Sequence, residues 1–146
     1  MATDITNMIR YCSAIKLVDY ANDNIKAILM DTGYTFDPDT DESYSDVSGS
    51  ELATGNGYTR NTKVLTTVTV TKNNTTNRAE VTCDDVTWTA TTGNIGPTPG
   101  MILFDDSVTS SGSAPTDPVI GYIDFGSELT QAAGGTLTIQ NIQIDL

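Results

Sequence analysis

The sequence contains no histidine. That removes the commonest general base, the Ser–His and Cys–His nucleophile pairs, and the commonest zinc ligand. Basic residues are also scarce, with seven Lys and Arg against 19 Asp and Glu for a net charge of −12. Nucleic acid wants a basic face and an anionic membrane surface attracts polybasic segments, so both are disfavoured as partners. A basic protein surface or a divalent cation is compatible with this charge, which equally serves solubility. Cysteine occurs twice, as Cys12 and Cys83, without CxxC spacing or a disulfide framework, and the pair reads as two buried small hydrophobes. No run approaches the roughly 20 apolar residues of a membrane span, and the N-terminus lacks a basic-then-apolar signal. The expectation is therefore a protein made and used without Sec export.

Charged residues make up only 18% of the chain, too few for many exposed helices, whereas Thr, Ser, Asn, Asp and Gly are abundant. A chain of 146 residues is long enough to bury a core without staples, so one β-rich domain over 1–146 is expected. The densest apolar runs lie between Asp84 and Phe125, with the only Trp (Trp88) and two of the three Phe. They mark the centre of that core.

Along the chain, Ile5, Met8, Ile9, Cys12 and Ile15 recur at helical spacing, which predicts an amphipathic helix over 4–20 capped by Asp4 or Thr3. Segment 1–24 is read as an N-terminal helix or arm that docks on the sheet or on a neighbouring subunit. Ile25 to Met30 reads as a buried strand. Asp31 to Asn61 has little periodicity and reads as a long loop, 31–61, held by a partner subunit. Lys63 to Lys72 alternates Thr and Val as one strand, turns at Asn73-Asn74 and returns over Arg78 to Cys83 as a hairpin.

Val86, Trp88 and Ala90 give the next strand. Gly93 to Gly100, with Pro97 and Pro99, reads as a turn-rich connection, and Met101 to Phe104 as a strand buried on both faces. Asp105 to Asp117 reads as an exposed loop. Val119 to Phe125 follows as a strand ended by Gly126. After Gly134-Gly135, Leu137 and Ile139 alternate, then Ile142, Ile144 and Leu146 alternate out of phase, so a bulge or bend is expected at Gln140-Asn141. Seven or eight strands predict an antiparallel β-sandwich, with a jelly roll or small barrel next.

Catalytic chemistry is thin. Two carboxylates at the right separation suffice for glycoside hydrolysis, and Asp84, Asp85, Asp105, Asp106 and Asp124 are the candidates, but their spacing does not single out a pair. Gly55-Asn56-Gly57 lacks the Lys and the strand-to-helix context of a phosphate loop. Neither a catalytic motif nor a cofactor-binding or metal-binding motif is present, so a non-enzymatic protein is expected. Asp37-Pro38-Asp39-Thr40-Asp41-Glu42, followed by Asp46, invites a calcium reading, since hard cations want several oxygen ligands. The EF-hand pattern fails because Glu42 stands at the required Gly and Ser48 at the bidentate Glu. A solvated acidic loop or a lysine-bearing partner fits the same residues. Tyr34, Tyr44 and Tyr58 either staple the loop to the domain or offer amphipathic contact area to a protein or a sugar.

Taken together, Ile25-Lys26-Ala27-Ile28-Leu29-Met30, Asp46-Val47-Ser48-Gly49-Ser50-Glu51-Leu52 and Gly55-Asn56-Gly57-Tyr58 resemble the front half of a family of small virion proteins from tailed bacteriophages and prophages. Asp84-Asp85-Val86-Thr87-Trp88-Thr89-Ala90-Thr91 and Ile120-Gly121-Tyr122-Ile123-Asp124-Phe125-Gly126 resemble its back half. The resemblance implies a structural virion protein, a decoration or cement protein on the capsid exterior, assembled in the host cytoplasm. Its partners would be the major capsid protein and copies of itself in a homotrimer. The segment 105–117 and the Pro97-Pro99 turn have no counterpart in the resemblance, which transfers no catalytic residue. The residues expected to touch partners are Ile5, Met8 and Ile9 of the arm, with Tyr34, Asp37, Asp39, Asp41, Tyr44 and Tyr58 of the loop. Removing residues 1–20 is expected to spare the fold and weaken particle binding. A tail or fibre component and a carbohydrate-binding module are the alternatives.

Overall fold

Strands that alternate polar and apolar residues can cover one core, whereas strands apolar throughout need cover on both faces. The chain contains both, and the fold follows from that difference. The computed structural model describes residues 1–146. In chain order its elements are β1 (Ala2–Ile5), α1 (Asn7–Ala14), β2 (Ile25–Leu29), α2 (Tyr44–Val47) with a 3₁₀ turn at Ser48–Ser50, β3 (Lys63–Val64), β4 (Thr69–Asn73), β5 (Arg78–Thr82), β6 (Val86–Thr89), β7 (Ile95–Asp105), β8 (Val119–Gln131), β9 (Thr136–Ile139) and β10 (Gln143–Asp145). They form three antiparallel sheets, ordered β1-β8-β7-β2-β3, β10-β5-β4 and β6-β9. The fold is all-β and sandwich-like, as composition and patterning predict, with ten strands in place of seven or eight.

The five-stranded sheet is the middle layer. On one face Ile25, Ala27 and Leu29 of β2, Met101 and Leu103 of β7, and Ile120 and Ile123 of β8 join a large core. Val81 and Ile144 of the three-stranded sheet, Val86, Trp88, Leu137 and Ile139 of the two-stranded sheet, and Ile9 and Cys12 of α1 close it. On the other face Ile28, Ile102, Phe104, Val119 and Tyr122 meet Met30 and Val47, with Tyr34, Phe36 and Tyr44 packed on top. Met101 to Phe104 reads as uninterrupted because both faces are covered. Cys12 is buried in the large core, Cys83 packs partly buried against it, and both are free thiols.

Several sequence expectations need correction. The N-terminal helix is shorter than 4–20 and starts later. Ala2–Ile5 pairs instead with β8 at the sheet edge, in the register Asp4↔Tyr122. Thr6, with φ −73° and ψ 155°, becomes the N-cap, its Oγ1 accepting the Ile9 N–H at 2.9 Å and donating to the Val119 carbonyl at 2.6 Å. The cap sits there because the residues before it find a sheet edge to extend.

Lys63 to Lys72 is two strands. Thr67 adopts φ 53° and breaks the run, so Lys63–Val64 pairs with β2 while Thr69–Asn73 pairs with β5. The hydroxyls of Thr66 and Thr67 both donate to Asp84 Oδ2, at 3.2 and 2.6 Å, and fasten the crossing. The β4–β5 hairpin itself forms as predicted.

Pro97 and Pro99 lie inside β7, where the pairing with β8 shifts register at Ile95/Thr98 and Thr98/Gly100. Irregular pairing is where a strand tolerates residues without an N–H to donate. Gly126, at φ 77°, does not end β8, which continues to Gln131. At Asn141 (φ 55°) the slip in phase is a change of sheet, since β9 pairs with β6 and β10 with β5. The 105–117 loop is exposed only in part. Val108 and Ala114 are buried, and Ser111 and Ala114 bridge its tip.

Candidate functional site

The segment 31–61 is the most acidic part of the chain and lies on the outer face of the five-stranded sheet. It is expected as a loop in need of a partner, but its own chain holds it. Ser50 to Leu52 runs beside the end of β2, with Asp31 N–H donating to the Ser50 carbonyl (2.8 Å) and Leu52 N–H to the Leu29 carbonyl (2.8 Å). Glu42 to Tyr44 runs beside the start of β8, with Val119 N–H on the Glu42 carbonyl (2.9 Å) and Tyr44 N–H on the Asp117 carbonyl (2.9 Å). These pairings give a segment without periodicity two further strand-like anchors.

The tyrosines are the staples. Tyr34 meets Tyr122 edge-on at 5.5 Å, Phe36 stacks on Tyr122 at 5.7 Å and Tyr44 stacks on Phe104 at 4.8 Å. Tyr58 reaches round to the large core and tilts against Trp88 at 6.1 Å. Their hydroxyls find carboxylates of the same segment: Tyr34 donates to Asp41 Oδ2 at 2.6 Å, while Tyr44 and Tyr58 donate to the two oxygens of Glu51 at 2.8 Å each. Glu51 also accepts the Asn61 N–H (2.8 Å) and Arg60 Nε (3.2 Å), and Tyr58 accepts the Leu29 N–H (3.0 Å). The Glu51 side chain is fully buried, and this set of donors is what permits an ionised group there. Burial first, and then the adjoining carboxylate, push the Tyr44 phenol up to about 12 and those of Tyr34 and Tyr58 higher still. As staples these phenols stay protonated.

The remaining carboxylates of the layer face outward but are locally engaged. Asp37 Oδ1 accepts the Asp39 N–H at 2.9 Å, and Asp39 meets the Asn7 side chain at the start of α1. Asp46 Oδ2 accepts the Ser43 N–H (2.9 Å) and hydroxyl (2.6 Å), closing a capping box on α2. Across the molecule no three Asp, Glu or Cys side chains converge as cation ligands would.

Among the expected contact residues, Ile9 is wholly inside the large core and Tyr58 is 2% exposed, so neither is a surface contact. Ile5 and Met8 are half-buried against the same core, and Tyr34, Asp41 and Tyr44 are half-buried in the layer. Asp37 and Asp39 alone are fully outward. The acidic candidates for catalysis are dispersed in role: Asp84 holds Thr66 and Thr67, Asp85 accepts from Gln140 (3.1 Å), Asp106 pairs with Lys26 (2.8 Å), Asp124 accepts the Gly126 N–H (2.7 Å) and Asp105 is buried. Sequence reasoning missed Glu51 and Arg60. Their partnership crosses nine positions without a helical or strand period to reveal it.

Charge is strongly segregated along the chain. From Ala27 to Thr59 there are Asp31, Asp37, Asp39, Asp41, Glu42, Asp46 and Glu51 and no Lys or Arg. From Leu52 to Ala79 there are Arg60, Lys63, Lys72 and Arg78 and no Asp or Glu. The first stretch covers one side of the five-stranded sheet, and the second builds the edge strands β3 and β4, of two different sheets, and the turn of the β4–β5 hairpin. No protein-family model, curated protein or solved structure matches the chain.

Proposed function

We propose that this protein is a structural component of a tailed-phage particle that decorates the outside of the head and clamps the major capsid protein. The observation that carries this reading is the acidic layer. Its aromatic side chains are turned inward and its exposed carboxylates outward, so it is a rigid face suited to a basic protein surface rather than a flexible tether. The sequence resemblance to small virion proteins points the same way. Multivalent display favours such a protein, because linked contacts raise effective concentration without new chemistry.

Self-association as a closed ring is part of the proposal, with a homotrimer preferred. A ring needs two different surfaces that fit each other. The acid-free β3 and β4 strands, where Val64 and Val70 are 43% and 47% exposed, would meet the acidic layer of the next copy. The sugar-binding alternative loses support, because the tyrosines it would use are engaged in packing and internal hydrogen bonds.

The test is binding to heads stripped of this protein, at low and high salt. Replacing Asp31, Asp37 and Asp39 together by Asn should weaken binding by about tenfold at low salt and flatten its salt dependence. Unchanged binding by a folded triple variant would remove the acidic layer from the interface.

A further inference from the structure

Where the acidic layer ends, an amine, a carboxamide and a carboxylate from three distant parts of the chain meet. Lys26 Nζ donates to the side-chain oxygen of Asn61 at 3.1 Å and lies 2.8 Å from Asp106 Oδ2. The Lys26 side chain is 16% exposed and that of Asp106 27%, so the meeting point is largely shielded from water. Each member is held by its backbone. Lys26 sits between two strands, opposite Phe104 of β7 and Val64 of β3. Asn61 takes φ 55°, a left-handed conformation that Asn tolerates, with its N–H on Glu51 Oε1 at 2.8 Å. The Asp106 N–H donates to the Asn24 carbonyl at 3.0 Å, and the next residue's Ser107 Oγ accepts the Asn24 N–H at 2.7 Å.

A salt bridge needs only two of these groups. The third brings an amide carbon, which is the electrophile for a lysine amine, and Nζ is already held on the oxygen bonded to that carbon. Holding nucleophile, electrophile and proton acceptor together removes most of the entropic barrier to their reaction. We propose that Lys26 and Asn61 condense into an isopeptide bond, with Asp106 as the group that moves the proton.

The step balances without any further reactant. Asp106 takes one proton from the Lys26 ammonium, and the freed lone pair adds to Asn61 Cγ. The bond from Cγ to Nδ2 then breaks, and Nδ2 leaves as ammonia with a second proton given up by Nζ. Asp106 returns its proton to the departing ammonia. One ammonium and one carboxamide enter, and one secondary amide and one ammonium ion come out. Proton transfer from an ammonium to a carboxylate is uphill in water, and shielding narrows the gap because it disfavours both ions. The reaction has to run once per chain, so a slow rate suffices.

The consequence falls on the acidic layer. Lys26 and Asn61 are 35 positions apart and bracket it, so the bond closes the whole layer into a covalent ring anchored on β2. A cross-link over a loop of that length lowers the unfolding constant roughly a hundredfold to a thousandfold, by restricting the unfolded chain.

Denaturing intact-mass spectrometry of the full chain, purified folded, tests this together with peptide mapping. The expected mass is one ammonia below that of the sequence, with a branched peptide joining Lys26 to Asn61. Lys26→Arg keeps the cation without the nucleophile, and Asp106→Asn keeps the shape without the proton acceptor, so both should retain the full mass. A proteolytic cut between Asp31 and Arg60 should leave two pieces that stay joined in denaturant in the wild type and separate in Lys26→Arg. Full sequence mass in wild-type chain after prolonged incubation in the folded state overturns the proposal, whether or not the variants fold. An ammonia loss that maps to Asn56, which precedes Gly57 and can close an imide, overturns it as well. A folded Asp106→Asn variant that forms the bond as fast as wild type overturns the role given to Asp106.

Discussion

Glu51 shows how one side chain organises a segment that has no regular structure of its own. Four donors converge on it, two phenols, one guanidinium and one backbone amide. Removing the carboxylate takes the acceptor from the buried Tyr58 hydroxyl and from the half-buried Tyr44 hydroxyl and Asn61 amide, and an unsatisfied buried polar group costs about 1–3 kcal/mol. Glu51→Ala should therefore lower stability by at least ~2 kcal/mol in urea unfolding, and Tyr58→Phe by ~1–3 kcal/mol through loss of the bonds to Glu51 and the Leu29 amide. A Glu51→Ala midpoint equal to wild type would show that the knot contributes nothing. Residues of this kind are poorly legible in a sequence. The individual types give no sign that Tyr44, Tyr58, Arg60 and Glu51 meet, because the chain brings them together by wrapping the end of a sheet. Trp88 and the Met101 to Phe104 run were legible, since aromatic and aliphatic residues declare their burial by type.

Element identity was read best where the pattern is local. The alternation of Val86, Trp88 and Ala90, the β4–β5 hairpin and the apolar β2 all form as patterned. Sheet membership was not readable, because it depends on distant partners. The break at Thr67 and the crossing at Asn141 look like strand irregularities in sequence and are passages between sheets in three dimensions. The N-terminus misled for a related reason. Its helical spacing is real between Asn7 and Ala14, but Ala2–Ile5 has a β8 edge to pair with, and pairing outweighs weak local propensity.

The consequence is a changed expectation for truncation. Residues 1–20 supply the sheet's edge strand and three buried hydrophobic side chains, Ile9, Cys12 and Tyr20. Their removal should abolish cooperative unfolding, followed by circular dichroism, because each large buried side chain lost costs on the order of 2–5 kcal/mol and a domain holds only about 5–15. A truncated chain that melts cooperatively near the wild-type temperature would show that the segment is an arm after all. The smaller change Thr6→Ala should cost ~1 kcal/mol through the lost cap.

For the whole molecule, the three layers and the segregated charge belong to one design. A sheet apolar on both faces needs two covers, and the second cover here is a stapled acidic layer whose outward surface is left free for contact. A net charge of −12 repels like-charged copies at long range, so association with a neighbour has to come through the basic strands or through a basic partner. The measurement that bears most directly on this account is immunogold labelling of intact tailed particles whose genome encodes the chain. Label spread evenly over the head is the predicted result, whereas label confined to the tail, or absent from the particle, would contradict it.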